Sequence, residues 1–298
     1  MHSFPCSAAA GLNVAMKKAD LIELAQNPDF ISGIYNYCDR WCERCQFTSR
    51  CFLYATEQAD PDLSDPEMRD ISNEKFWRKM HTIFAETAEL INEWATEAGI
   101  DLDAVDSTEA LAQHDRDMEA AEQHELSQAT RAYGFAVEEW FKHEPDNYAV
   151  RNEAGDEEEL TIVNAVEVIR WYQFLIAAKT FRAVSGADRL DLETEDDEIF
   201  PDFAADDFEG EDNLDDETVM AMTERMDANG SAKVALVAID RSISGWRSLQ
   251  ISLPEKAESI KPMVIELESL RRSIEARFPH ARDFIRPGLD EVNSRFVS

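Results

Sequence analysis

The chain has 298 residues, with 62 Asp and Glu against 29 Lys and Arg, giving a formal charge of −33. It holds only 10 glycines, roughly half the usual share of about 7%, which argues against a turn-rich β fold and a glycine-looped nucleotide site. The acidity excludes general nucleic-acid binding, which needs clustered Lys and Arg against phosphate, and disfavours an anionic membrane surface.

Apolar residues make up 44% of the chain, enough to bury a core. The N-terminus shows no basic stretch followed by an apolar run, and no segment approaches 18 uninterrupted apolar residues; the expectation is a cytoplasmic protein without a membrane span.

Helical periodicity dominates from the start. Leu12, Met16, Leu21, Leu24 and Ala25 mark a first helix, interrupted at Asn27-Pro28. Asp29 is placed to cap a second, bearing Ile31, Ile34, Tyr35 and the first cysteines. Asp65-Pro66-Glu67 reads as N-cap, proline at the first helical position and acid in the first turn. The helix after it sets Phe76, Met80, Ile83, Thr87, Ile91, Trp94 and Ala98 on one stripe and stops at Gly99. Asp106 and Glu109 form a capping box for a helix running to about Lys142. The segment 157–185 is apolar almost all round, as a central buried helix should be. Another helix spans about 216–252, with a possible break at Asn229-Gly230. The last carries the seam Ile260, Val264, Leu267, Leu270, Ile274 and Phe278.

No segment alternates with period two, and no internal repeat is present. The expected fold is all-α: an antiparallel bundle of long helices over residues 61–298, with an N-terminal helical segment, residues 1–60, carrying the cysteines. An acidic loop, 188–217, interrupts the bundle; residues 191–217 hold 15 Asp and Glu and no Lys or Arg. Its register fails the calcium-loop pattern, since the sixth position from Asp202 is Asp207 where glycine is needed. A solvated loop is the plain reading, and a contact for a basic partner the alternative.

The chemistry concentrates between Tyr37 and Cys51. Cys38, Cys42, Cys45 and Cys51 are spaced C-x3-C-x2-C-x5-C, and four thiolates are the usual ligands of structural zinc and of a [4Fe–4S] cluster. On a helix, Cys38, Cys42 and Cys45 would share one face. A tetrahedral zinc needs its sulfurs within about 4 Å of each other, whereas a cubane spreads them more widely; typical zinc sites also use two knuckles separated by a longer stretch. The reading is one [4Fe–4S] cluster on Cys38, Cys42, Cys45 and Cys51, with zinc as the alternative. Arg40, Arg44 and Arg50 would offset the thiolate charge, and Tyr35, Tyr37, Trp41, Phe47, Phe52 and Tyr54 would shield the cofactor from water. Cys6 stands apart as a small residue in an N-terminal tail.

The run Cys42 to Cys51, with Phe47 two positions past Cys45, resembles the C-x2-C-x-aromatic-x3-C iron–sulfur stretch of certain CRISPR-adaptation and recombination nucleases. In those proteins the fourth cysteine comes from far away; here it would be Cys38. The resemblance covers ten residues and implies the cofactor, not the nuclease activity, since no mixed α/β pattern surrounds it. Cys38-x3-Cys42-x2-Cys45 also matches the three-cysteine signature of radical S-adenosylmethionine enzymes. Arg44 stands where they usually carry an aromatic residue, Cys51 offers a fourth ligand, and no glycine-rich methionine-binding run follows.

The functional expectation is a redox or electron-transfer role with a protein redox partner. The alternatives are an interaction protein stapled by a cluster or by zinc, and a metalloenzyme whose bundle cavity is lined by His114, Glu122 and Glu125. No Glu-x-x-His di-iron motif supports the last in the long helices. No phosphate loop, G-x-S-x-G or H-E-x-x-H is present, and whether the protein is an enzyme stays open. Glu167, Arg170, Gln173, Asp240 and Arg241, in the two most apolar helices, are expected to form buried Glu–Arg and Asp–Arg pairs, with lining a polar cavity as the alternative.

Overall fold

The computed structural model describes residues 18–59, 66–68, 70–104, 107–143, 157–188 and 216–290. Cys6, the Asp65 and Asp106 caps and the acidic loop between residues 189 and 215 lie outside them. Among the described residues there are eight α-helices and no strand, so the protein is all-α. No helix among them is long and apolar enough to cross a membrane.

The chain divides into two compact units. The first comprises residues 1–35 and 42–107; the second takes residues 36–41 together with 108–298. Residues 61–107, grouped with the bundle by sequence, therefore fall in the cysteine-bearing unit, while a six-residue piece of the cysteine loop belongs to the other.

In the first unit α1 spans Lys18–Ala25, α2 Phe52–Ala59 and α3 Glu74–Glu97. The stretch between α1 and α2 is not the expected helix. It runs through turns, with 3-10 turns only at Cys42–Arg44 and Thr48–Arg50. Gly33 takes a left-handed backbone, with φ of 68°, which ends any helical path there. The turns are tied by the Ile31 amide donating to Arg50 O at 3.0 Å and by Arg50 Nε donating to Asp29 O at 3.2 Å.

Helix α3 also starts later than its proline suggested. Pro66–Met68 forms a separate 3-10 turn, and Asn73 is the true N-cap, its side-chain oxygen accepting from the Lys75 amide at 2.9 Å. The end falls where glycine placed it. Gly99, at φ 72°, lets the Ile100 amide reach Ala95 O at 2.8 Å and the Gly99 amide reach Thr96 O at 3.2 Å, a Schellman closure of the last carbonyls. Of the described residues in this unit, only Ile34 and Ala95 are buried.

The second unit holds α4 (Thr108–Gln123), α5 (Glu125–His143), α6 (Glu157–Asp188), α7 (Asp216–Ser252) and α8 (Ala257–Arg277) in a bundle-like arrangement. The helix expected over 108–142 is broken at His124, whose Nδ1 accepts from the Leu126 amide at 3.1 Å and so caps α5. α7 runs unbroken past Asn229-Gly230. The core lies along α6 and α7: Ile169, Tyr172 and Ile176 are buried with Leu236, Ile239, Trp246 and Leu249. Small residues let the two helices close together; a Cβ on Gly245 would stand 3.1 Å from Ile169 and 3.2 Å from Ala165 O. The α8 seam behaves as its spacing predicts, with Ile260, Leu267, Leu270 and Ile274 buried. Each such aliphatic side chain contributes roughly 1.5–3 kcal/mol by leaving water.

Gly230 explains why α7 tolerates glycine mid-helix. A Cβ there would meet the Tyr37 ring at 2.3 Å and Phe284 at 2.9 Å. In an exposed helix Gly→Ala stabilises by about 1 kcal/mol. Here Gly230→Ala is expected to do the reverse, costing about 1–3 kcal/mol as the Tyr37 ring is displaced, which urea unfolding of the single variant will show.

Candidate functional site

Cys38 lies in the 36–41 segment of the second unit, and Cys42, Cys45 and Cys51 lie in the first. All four are reduced thiols, half-buried. Cys42 opens one 3-10 turn, Cys45 follows it, and Cys51 sits at the head of α2. The shared helical face expected of Cys38, Cys42 and Cys45 does not form, because the chain turns at Asp39-Arg40. Arg40 adopts a left-handed backbone with φ of 58°, a conformation costly for a residue with a Cβ. The Trp41 amide donating to Asp39 Oδ1 at 3.2 Å closes that turn.

Backbone amides point at three of the sulfurs. The Phe47 amide donates to Cys45 Sγ at 3.4 Å and the Tyr54 amide to Cys51 Sγ at 3.5 Å. The Arg40 amide donates to Cys38. Burial nonetheless pushes the Cys38 thiol up, outweighing that amide and the Arg40 and Lys179 charges. Hydrogen bonds to sulfur favour the thiolate and desolvation opposes it, so Cys38 is protonated at neutral pH in the state described. Among the described residues no group of three or more His, Cys, Asp or Glu side chains is drawn together so as to hold a metal ion.

The 36–41 segment is fixed on α6 and α7 at every second residue or closer. Lys179 Nζ donates to Asn36 O at 3.0 Å, its pKa lowered by burial. The Tyr37 hydroxyl donates to Asp227 Oδ1 at 3.3 Å, and Arg182 grips the same carboxylate with Nε at 2.9 Å and Nη2 at 2.6 Å. Asp39 is the central post: Trp171 Nε1 donates to its carbonyl at 2.9 Å, the Tyr172 hydroxyl to its Oδ2 at 2.7 Å, and Arg241 pairs with the same oxygen. Trp41 stacks on Trp171, ring centroids 4.9 Å apart and 15° between planes, and meets Tyr172 edge-on at 5.9 Å. Burial, together with the neighbouring carboxylates, pushes the Tyr37 and Tyr172 phenols up to about 12, so both remain donors throughout the neutral range.

The chain matches no protein-family model, no curated protein and no solved structure.

Of the aromatics expected around a cofactor, Tyr37 and Trp41 are committed to the α6–α7 surface. Tyr35 approaches Phe52 at 6.5 Å and Phe30 meets Phe52 edge-on at 6.0 Å, both within the first unit. His114, Glu122 and Glu125 are exposed on α4 and α5; Glu122 pairs with Arg131 at 3.1 Å. A helical-wheel side shared by three residues does not make it the inward side, and here Ala121, Leu126 and Thr130 take that place.

The expected buried ion pairs are also redistributed. Asp240 pairs with Arg271 at 3.3 Å and Arg282 at 2.7 Å rather than with its neighbour Arg241, which reaches Asp39. Glu167 and Arg170 are exposed, Arg170 lying 4.3 Å above the Phe141 ring. Gln173 is buried with its side-chain oxygen unpartnered. Asp240 and Arg241 do line a groove of about 320 Å³ between α6 and α7, with Asn164, Ser244 and Ser248. Asp39 was the residue that sequence reasoning passed over. Its partners lie 132 to 202 positions away, and the only local sign was an aspartate between two cysteines and two aromatics.

Proposed function

We propose that the loop from Cys38 to Cys51 is a cofactor-binding element, holding one [4Fe–4S] cluster on Cys38, Cys42, Cys45 and Cys51 in a redox or electron-transfer role. The observation that carries the reading is the set of backbone amides aimed at Cys38, Cys45 and Cys51. Such N–H···S bonds lower the cost of thiolate charge and tune the potential of a sulfur-ligated centre. The bound cluster would supply one-electron transfer. The protein's part is to hold four half-buried sulfurs reduced in one short loop, beside Arg40, Arg44 and Arg50. Burial of neutral Cys38 implies that ligation is coupled to loss of its proton.

A second reading, a structural staple of zinc or cluster serving a protein interaction, has its own support. The first unit buries only Ile34 and Ala95 among its described residues, and a domain so poor in core commonly needs a metal or a disulfide.

Anaerobic purification of the full chain with iron, sulfide and zinc analysis tests the proposal. About four iron and four sulfide per chain are expected, with a reversible midpoint potential, and Cys51→Ala should make the cluster labile. Stoichiometric zinc without sulfide overturns the redox reading and leaves the staple. A cluster with no reversible potential, whose removal unfolds the first unit, does the same.

A further inference from the structure

Helix α3 was expected to press its apolar stripe into a core, and among the described residues most of that stripe is exposed. Trp77, Phe84, Ile91 and Trp94 are 60%, 64%, 50% and 62% exposed, and Ile83 is exposed beside them. The face is ordered: Trp77 Nε1 donates to Ile71 O at 2.8 Å, and its ring meets Phe76 edge-on at 5.2 Å. Trp77, Phe84 and Ile91 recur every seven residues, and Met80, Thr87 and Trp94 do the same three positions on. That is the a/d spacing of a helix that packs along another helix.

We propose that α3 is a dimerisation helix, pairing antiparallel with α3 of a second copy of this chain. Three observations select that occupant. The charges are segregated along the helix: Lys75, Arg78 and Lys79 lie in its first half, while Glu86, Glu89, Glu93 and Glu97 fill the second, which has no Lys or Arg. A parallel pair would set glutamates against glutamates; an antiparallel pair sets each basic half against an acidic one and opposes the helix dipoles.

The register is self-complementary as well. In an antiparallel pair centred between Ala85 and Glu86, the midpoint of Glu74–Glu97, Trp77 faces Trp94, Met80 faces Ile91 and Phe84 faces Thr87 of the other copy. Each a position then meets a d position, while Arg78, Lys79 and Glu93 stand outside the seam at b and c, so their charges act through the halves of the helix rather than as facing pairs. A two-fold axis requires such reciprocity.

The area is sufficient too. A Trp or Phe side chain presents roughly 150–250 Å², so the exposed residues offer on the order of 500 Å² per helix and about 1,000 Å² per pair, the threshold of a specific interface.

Sedimentation equilibrium of the full chain should show a monomer–dimer equilibrium in the micromolar range or tighter. Phe84→Glu, which places charge at the centre of the seam, should raise the dissociation constant about 100-fold without lowering helix content. A pair of charge variants decides the orientation independently of folding effects at the seam. Arg78→Glu with Lys79→Glu leaves Lys75 as the helix's one Lys or Arg among many acids, and Glu89→Lys with Glu93→Lys makes it largely basic. Each variant alone should dimerise at least about 10-fold more weakly than the parent, and a one-to-one mixture should recover dimers as heterodimers. A protein that stays monomeric at all concentrations overturns the proposal. So does a dimer indifferent to Phe84→Glu, or charge variants that do not restore each other. Loss of stability in a monomeric Phe84→Glu would show that the face is covered within the chain, and overturns it equally.

Discussion

Replacing Asp39 with alanine is expected to release residues 36–41 from α6 and α7 and to destabilise the bundle unit by about 2–3 kcal/mol. The cost does not come chiefly from the Arg241 ion pair, because that guanidinium is about half exposed and such pairs contribute less than about 1 kcal/mol. It comes from the Tyr172 hydroxyl, which loses its carboxylate acceptor on an otherwise buried side chain, and from the turn that presents Trp41 to Trp171. Arg241→Ala should therefore cost less than about 1 kcal/mol, and Asp39→Asn, which keeps an acceptor oxygen, should fall between the two. The stacked Trp41–Trp171 pair gives the readout: its near-ultraviolet dichroism should disappear in Asp39→Ala and persist in Arg241→Ala. Cys38, freed from burial, should react faster with a thiol reagent. If the dichroism survives in Asp39→Ala, the segment is held by its aromatics alone and Asp39 is not its post.

Trp246→Ala is expected to be the most damaging single change, at about 4–6 kcal/mol. Trp246 is fully buried, packs edge-on against Trp140 at 5.0 Å and stacks on Phe141 at 5.9 Å. Truncation removes roughly 3–5 kcal/mol of packing. It also removes the Nε1–H that donates to the Tyr133 hydroxyl at 2.9 Å, in a place water does not reach. Against a total stability of roughly 5–15 kcal/mol, this leaves much of the chain unfolded near body temperature. Trp246→Phe separates the contributions, since it keeps most of the ring contacts and should cost about 1–3 kcal/mol for the broken hydrogen bond and partial void. Thermal unfolding of the two variants checks the ranking, and equal melting temperatures would mean that the hydrogen bond, not the ring volume, holds this part of the core.

Much of the candidate site was legible as residue types and little of it as geometry. The cysteine spacing named the four sulfurs, and the same short stretch supplied the arginines and aromatics around them. Their shared helical face was wrong because Arg40 turns left-handed there, a conformation that no propensity favours and that only the anchoring of Asp39 explains. The anchor itself joins positions separated by well over a hundred residues, and helical periodicity carries no information about such pairs.

The chain by itself determined that the protein is all-α, where Gly99 ends α3, that 157–185 belongs to a central helix, and which α8 residues form its seam. Those features follow from local backbone preference and from a period of 3.6 residues, both written in neighbouring positions. The tertiary structure alone decided that residues 36–41 leave the cysteine unit to join the bundle-like unit, that His114, Glu122 and Glu125 face water, and that among the described residues most of the apolar stripe of α3 is exposed. A periodic pattern tells which side of a helix is apolar; what that side meets depends on the packing of distant segments, and their choice of partner is settled by total burial rather than by any local rule.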